Sequence, residues 1–351
     1  MSITYPYAYP TSPKFKRLAM KAATVAGQSI SHFTLQQQTY LHQGEAWGAE
    51  VTLPLMGRAE AEEWIAWGLA LRGKYGTFCL GDPSGETPRG SAAGNPASID
   101  GAAQLGLTVN TLAWTASQSN ILLAGDYIQI AKNYLTNPRA FDNALWHKVT
   151  CTATATNITA PNGVAEAERI TPAVGATDTE IFQIASPAPS RLAGETFIGS
   201  IWLKAAAGTP TIKLFIYDGV NMLNQSISLT TSWARFTITK ALSAGSTEVD
   251  LGVGSAGTWT EAVGAIDMWG AALYAPTLDA RLHKVLSAAS SSAGGKSTLD
   301  IWPRLREASV DFSAVITSNA KGLFRLASNV SEWDINEAMQ YGMGFSAAEA
   351  I

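Results

Sequence analysis

From Phe33 to Leu55 the chain reads FTLQQQTYLHQGEAWGAEVTLPL, with Phe33, Leu35, Val51, Leu53 and Leu55 on alternate positions. A period of two marks strands with one buried face, so the pattern predicts two antiparallel strands about the turn-like HQGEAWG, residues 42–48. The period then changes. Ala61, Trp64, Ile65, Gly68 and Leu71 recur at three- and four-residue steps and form one stripe of a helix. Glu60, Glu62 and Glu63 crowd its first turns and Arg72 and Lys74 follow its end, as the helix dipole favours. Gly73 supplies a left-handed closure. YGTFCLGDP reads as a strand stopped at Asp82-Pro83. The segment is a sheet carrying one amphipathic helix, with Trp64 and Trp67 expected in its core.

Beyond Pro83 comes a loop-rich stretch, SGETPRGSAAGNPASIDGAAQLG, and then two strand-like runs, LTVNTLAW and ILLAGDYIQIAK. Comparable runs return only at Leu282–Ala308, where HKVLSAA and STLDIWP flank the Ser/Gly loop SSSAGGK as in a hairpin. These separated strands predict one small β-barrel interrupted by residues 133–277. A folded guest with neighbouring ends costs its host little more than a long loop. Within it, TFIGSIWLKA, PTIKLFIYDG, SWARFTITKA, TEVDLGVGSA and AIDMWGAALY are short alternating strands separated by Gly/Ser/Asn turns, the signature of a sandwich or barrel.

With 351 residues the chain has room for two or three domains of about 100–150 residues. It is 46% hydrophobic but only 15% charged, so its polarity rests on Ser, Thr, Asn and Gln, which suits β-rich proteins with assembled surfaces. The net charge of −4 and the absence of a Lys/Arg stripe disfavour nucleic acid as a partner. Cys79 and Cys151 are too few for a disulfide framework or a zinc site and read as free buried thiols. No signal-peptide pattern opens the chain and no apolar run is long enough to span a membrane, so folding in the cytoplasm is expected. His32, His42, His147 and His283 lack metal-ligand spacing, and no nucleophile or phosphate-binding motif occurs. The sequence therefore predicts no catalytic residue, cofactor or metal, although scattered carboxylates leave a glycosidase pair formally open.

GKYGTFCLGDPSGETPRGSAAG, LLAGDYIQI, RLHKVL, TLDIWPRLR, GLFRLASN and the ending YGMGFSAAEAI resemble, in that order, distal tail or minor tail proteins of long-tailed non-contractile bacteriophages. The resemblance covers residues 1–132 and 278–351. It implies a mainly β fold: a tail-tube-type β-sandwich with one helix (1–83 and 325–351) that forms a ring, usually a hexamer, and an OB-like β-barrel (84–132 and 278–324). Residues 133–277 are similar to carbohydrate-binding-module-like jelly rolls, through NYLTNPRAFDNALWHKV, APNGVAEAERI, FIGSIWLKAAAGT, TTSWARFTI and AIDMWGAALY. The implied protein is not an enzyme. It sits at the virion tail tip, is made in the host cytoplasm, joins tail tube protein to hub and fibre proteins, and offers its jelly roll to host surface polysaccharide.

Sugar recognition pairs ring faces with amides and carboxylates. Trp202, Trp233 and Trp269 lie inside apolar strands and are expected in the core. Trp259, in the loop GSAGTWTEAVG, Trp146 beside the entry segment, and Tyr217 with Asp218 at a strand end are the candidate carbohydrate-binding residues. A turn-forming Asp and partly buried tryptophans fit the same sequence. Two alternatives stay open: a carbohydrate-active protein whose jelly roll targets a catalytic flanking domain, and a tube or hub subunit resembling the distal ring protein.

Overall fold

The computed structural model describes residues 3–92, 97–186, 188–254 and 257–350. Residues 93–96 of the loop-rich stretch after Pro83 lie outside them. In chain order the first segment forms β1 (Arg17–Ile30), β2 (Gln37–Thr52), α1 (Arg58–Ala70) and β3 (Thr77–Leu80). Next come β4 (Ala97–Ile99), β5 (Gly106–Leu112) and β6 (Tyr127–Ala131). The insert supplies β7 (His147–Val149), β8 (Cys151–Thr159), β9 (Ala165–Pro172), β10 (Glu180–Ile184), β11 (Thr196–Ala205) and β12 (Thr211–Tyr217). It continues through β13 (Met222–Ser228), β14 (Ala234–Ala241), β15 (Asp250–Val253) and β16 (Ile266–Tyr274). The chain then returns through β17 (Arg281–Val285), β18 (Ser297–Leu305), β19 (Ala314–Ile316), β20 (Gly322–Leu326), β21 (Trp333–Ile335) and β22 (Tyr341–Glu349).

The first and last segments build one sheet of order β1-β2-β22-β20-β3, with β21 beside β22. Its helix lies on the apolar face. Trp64 and Trp67 are buried there, and the Trp67 ring centroid is 5.1 Å from those of both Phe78 and Phe345. The first hairpin differs from the sequence pattern. Its turn lies between Ile30 and Gln37, and HQGEAWG runs inside β2, with Trp47 opposite Ala22. Gly44 and Gly48 read as a turn, yet Gly48 pairs with Lys21 in the ladder, and residues 42–44 form an irregularity opposite Val25, where the register shifts between Thr24 and Ala26. The sheet also takes in β20 from Gly322, a few residues before the expected boundary at 325, because β20 pairs with β3 and β22.

A closed barrel of order β17-β18-β5-β4-β19-β6 follows, assembled from strands on both sides of the insert. Its closing strands β4 and β19 are three residues each, too short to show a period in sequence. Its outer wall is fused to the first sheet: Tyr127 and Leu282 belong to the core under that sheet, and Trp47 Nε1 donates to the Leu282 carbonyl at 2.8 Å.

The insert is a jelly-roll sandwich of two five-stranded antiparallel sheets, β13-β12-β15-β10-β7 and β14-β11-β16-β9-β8. Its core lies between them and includes Ile201, Leu203, Leu214, Ile216, Leu251 and Leu273. The second sheet turns its outer face to the barrel. A separate apolar cluster there joins Trp269, Ala272 and Tyr274 of β16 to Leu112, Ala131, Phe312 and Ala314 of the barrel, with Trp202 and Trp233 packed at its edge. The approach is close enough to require glycine at 270: φ is 62°, and a Cβ there would lie 2.3 Å from the Phe312 ring.

Polar groups lock this seam. Asn133, buried where the insert begins, donates from Nδ2 to the carbonyls of Ala271 (3.1 Å) and Asp311 (3.0 Å). Its Oδ1 accepts from the backbone of Leu135 (3.1 Å) and Leu273 (2.9 Å), so all four bonds of the amide are made. Arg139 of the insert meets Asp311 of the barrel through two bonds (2.7 and 3.0 Å), Asp100 of the barrel at 2.8 Å and Glu166 of the insert at 2.6 Å. Its guanidinium carbon lies 4.9 Å from the Phe312 ring centroid and 5.6 Å from that of Trp269. Burial alone raises the Asp100 pKa, but Lys296 and Arg139 outweigh it and hold the carboxyl below its ordinary value.

Among the described residues no helix is long and apolar enough to cross a membrane. The clamp generates a first prediction. Arg139→Ala leaves Asp311 and Glu166 without their cation beside an Asp100 held by Lys296 alone, so stability falls by about 3 kcal/mol, readable as a lower urea midpoint. Limited proteolysis then cuts at residues 132–136 and 275–279 and releases the insert. An unchanged midpoint with an intact seam would refute the clamp.

Candidate functional site

One face of the insert is covered by the barrel, so the free face is the outer side of β13-β12-β15-β10-β7. Which side chains it carries follows from parity. Ile181, Leu214, Ile216, Leu251 and Val253 point into the sandwich core, so Phe182, Phe215, Tyr217, Asp250 and Gly252 point out.

Cross-strand register gathers these into rows. His147 of β7 pairs with Phe182 of β10, Phe182 with Gly252 of β15, Gly252 with Phe215 of β12, and Phe215 with Asn224 of β13. The His147 and Phe182 rings stack at 5.0 Å with planes 17° apart, and the Phe182 and Phe215 centroids are 6.4 Å apart. Gly252 lets the two phenyl groups lie against the sheet: a Cβ there would be 2.4 Å from Phe215 Cζ and 2.6 Å from Phe182 Cβ. Phe215 is buried, Phe182 is half exposed, and His147 and Asn224 are open to solvent.

The next row places Ile184, Asp250, Tyr217 and Met222 side by side. Asp250 is buried, and its Oδ1 has no hydrogen-bond partner. Burial, and next the Glu248 charge, push its carboxyl up to about 7. Near neutrality it can therefore donate or accept a hydrogen bond. The face combines apolar rings with an amide, a phenol and a carboxyl, the set of groups that a polyhydroxylated ligand requires.

The expected site residues do not meet on this face. Trp146 is 1% exposed, donates to the Asn137 carbonyl at 3.1 Å and packs on Phe141. Trp259 is 0% exposed and donates to the Gly264 carbonyl at 2.9 Å. Neither ring has a face free for a sugar, which corrects both assignments: each loop folds back to put its indole into the sandwich core. Asp218 is corrected as well. It is buried, pairs with Lys240 at 2.8 Å and accepts from the backbone of Val220, Asn221 and Ser243. Burial opposes its ionisation, but Lys240 and those amides outweigh it and hold the carboxyl far below its ordinary value. Asp218 thus ties a turn together. Tyr217 alone stands on the outer face, half buried beside Asp250.

Phe182, Phe215 and His147 escaped the sequence reading, although a signal exists. In TIKLFIY and EIFQI the phenylalanines occupy the parity opposite to the core residues, where a solvated strand carries polar groups. Trp202, Trp233 and Trp269 all lie at the barrel seam and not inside the sandwich core, the first two half buried and Trp269 buried. Cys79 and Cys151 are free and half buried, and burial pushes both thiols up to about 11. Among the described residues no cluster of three or more His, Cys, Asp or Glu side chains is arranged to hold a metal.

No protein-family model matches the sequence, and no curated protein matches it. Similar solved structures exist. Tailspike protein 4 of bacteriophage CBA120, in its enzymatically active domain, aligns at 13% identity and a TM-score of 0.33 over 41% of this chain. That match spans only 21% of the tailspike chain. TmCBM61, solved with β-1,4-galactotriose, aligns at 15% identity and a TM-score of 0.29 over 41% of this chain and 99% of its own. The CBM22-1 xylan-binding domain of Paenibacillus barcinonensis Xyn10C aligns at 13% identity and a TM-score of 0.29, over 44% of this chain and 96% of that domain.

Proposed function

We propose that the chain is a non-enzymatic structural subunit of a ring at the distal end of a phage tail tube, hexameric as the resemblance implies. Tube protein lies on one side of the ring and hub and fibre proteins on the other. The inserted jelly roll holds host surface polysaccharide on its free sheet face. The observation that carries the ring is the outer half of the β1–β2 hairpin. Beyond Glu45 the two strands pair only with each other, and nearly every residue from Lys21 to Gly44 is exposed. At about 3.4 Å per residue the stretch Gln37–Gly44 reaches roughly 27 Å from the sheet.

An isolated two-stranded ribbon is marginal in water, and an open edge invites pairing. This one carries Val25, Ile30, Leu35, Tyr40 and Leu41 uncovered, with Phe33 100% exposed at its tip. Val330, Trp333, Ile335 and Met339 form a second uncovered apolar strip around β21 on the same sheet. An arm from one copy seated on the next is a heterologous contact, which closes into a ring when the rotation permits. Polysaccharide binding is supported by the exposed His147 stacked on the half-exposed Phe182, backed by the buried Phe215 and flanked by the half-buried Tyr217 and the exposed Asn224. Each copy in a ring adds a weak site to the same polymer, so avidity replaces single-site affinity.

Two outcomes are expected. Replacing Val25–Gly44 by an Asn-Gly turn leaves the fold and its melting temperature intact but converts rings, seen in negative-stain images and by light scattering, into monomers. Rings surviving that change would defeat the arm's role. On a panel of purified bacterial surface polysaccharides, the full chain binds one polymer saturably, and Phe182→Ala weakens that binding at least about tenfold, equivalent to about 1.4 kcal/mol in the measured affinity. Trp259→Phe serves as the core control and leaves binding unchanged. A polymer that binds Phe182→Ala as tightly as the parent does not use this face.

A further inference from the structure

A second cavity lies away from the sheet face, at the mouth of the barrel. The end of β6, the start of β17 and the end of β18 enclose a volume of about 330 Å³, capped by the segment 307–310. That size falls at the lower end of small-molecule sites, roughly 300–1,000 Å³, and barrel mouths are a recurrent place for them.

Strand parity decides what lines it. On β6, Ile128 and Ile130 face the barrel core, which puts Lys132 on the same side just past the strand end. On β17, Val285 faces the core, and so do His283 and Arg281, which pair with Ile128 and Ile130. His283 is 4% exposed, and its Nδ1 lies 2.6 Å from the Pro303 carbonyl. A carbonyl only accepts, so Nδ1 carries the proton and Nε2 keeps a bare lone pair. No hydrogen-bond partner meets that Nε2. Burial holds the imidazole down to about 4, so it stays neutral at ordinary pH. The buried acceptor is thus unsatisfied, and a hydroxyl donor matches it.

The charges around it favour an anion. Glu349 is engaged by Arg306 at 2.9 Å and by the Trp47 backbone at 3.0 Å, and Asp279 accepts from the Tyr134 hydroxyl. Arg281 has only a loose contact, 3.6 Å, to the largely exposed Glu307, besides its bond to the Ala350 carbonyl. Lys132 lies 5.7 Å from the Tyr134 ring centroid, and no carboxylate pairs with it among the described residues. We propose that the barrel mouth binds one small hydroxylated carboxylate, of the size of a sugar acid, with its carboxylate between Lys132 and Arg281 and a hydroxyl donating to His283 Nε2. This site is independent of the polysaccharide face.

The test uses the full chain and D-glucuronate as probe, with D-glucose and inorganic phosphate beside it. Calorimetry is read together with the nitrogen resonances of the histidine imidazoles. Glucuronate is expected to bind saturably and to move the His283 Nε2 signal, with glucose and phosphate at least about tenfold weaker. Lys132→Met, a change at the half-exposed rim, lowers glucuronate affinity about tenfold without altering the melting temperature, and Phe182→Ala leaves it unchanged. An unmoved His283 signal at saturating glucuronate overturns the proposal. So does binding that survives Lys132→Met but is lost in Phe182→Ala, which assigns the sugar acid to the sheet face.

Discussion

The architecture depends on one guanidinium. Arg139 is the point at which three carboxylates from two modules converge, and Lys296, 2.8 Å from Asp100, is the second cation that makes the cluster tolerable. At an effective dielectric near 20, like charges about 4 Å apart repel by roughly 4 kcal/mol, so Asp100, Asp311 and Glu166 share a seam only because a cation stands among them. The same planar group stacks on Phe312 and Trp269, whose rings meet edge to face at 4.9 Å. Charge neutralisation and apolar closure are therefore a single event.

From that seam the remaining arrangement follows. Docking consumes the outer face of one jelly-roll sheet and leaves the other free, which decides where a ligand of the insert can lie. The barrel's opposite wall is spent on the first sheet through Trp47, Tyr127 and Leu282. Among the described residues, packing leaves the hairpin arm, the strip around β21, the free sheet face and the barrel mouth uncovered. They differ in chemistry: two apolar strips, a sheet face with rings and polar flanks, and a neutral imidazole beneath two cations.

Sequence made the large features readable because they rest on long-period signals. The helical stripe through Ala61, Trp64 and Ile65 and the strands of the insert repeat their pattern over enough residues to stand out. So does the resumption of barrel strands after residue 277. What sequence hid depends on tertiary closure. β4 and β19 are three residues each and acquire meaning only as staves of a closed barrel. The first hairpin is hidden because Gly44 and Gly48 resemble a turn, while the real reversal lies at residues 31–36, whose Phe33 and Leu35 fit the alternating pattern of a strand. Trp146 and Trp259 look like loop aromatics, but a loop that folds inward buries its indole while its neighbours stay exposed. The Phe182 row joins residues from five strands, β7, β10, β15, β12 and β13, and the parity of a single strand gives no hint of its neighbours.

The seam also has a meaning for descent. The insert's entry and exit are sewn together at Asn133 and Leu273, with Tyr134 donating to the Leu273 carbonyl at 2.8 Å, so the barrel sees its guest as a closed loop. Such a join allows one guest to be exchanged for another without disturbing the host strands. The exchange is not free of conditions, since Asp100 and Asp311 remain behind as a waiting anionic socket. Lys296 of the barrel stays paired with Asp100, so Asp311 is the acid that a newcomer has to answer with a cation of its own. One barrel aspartate therefore sets a charge condition on whatever folded segment is spliced in at this seam.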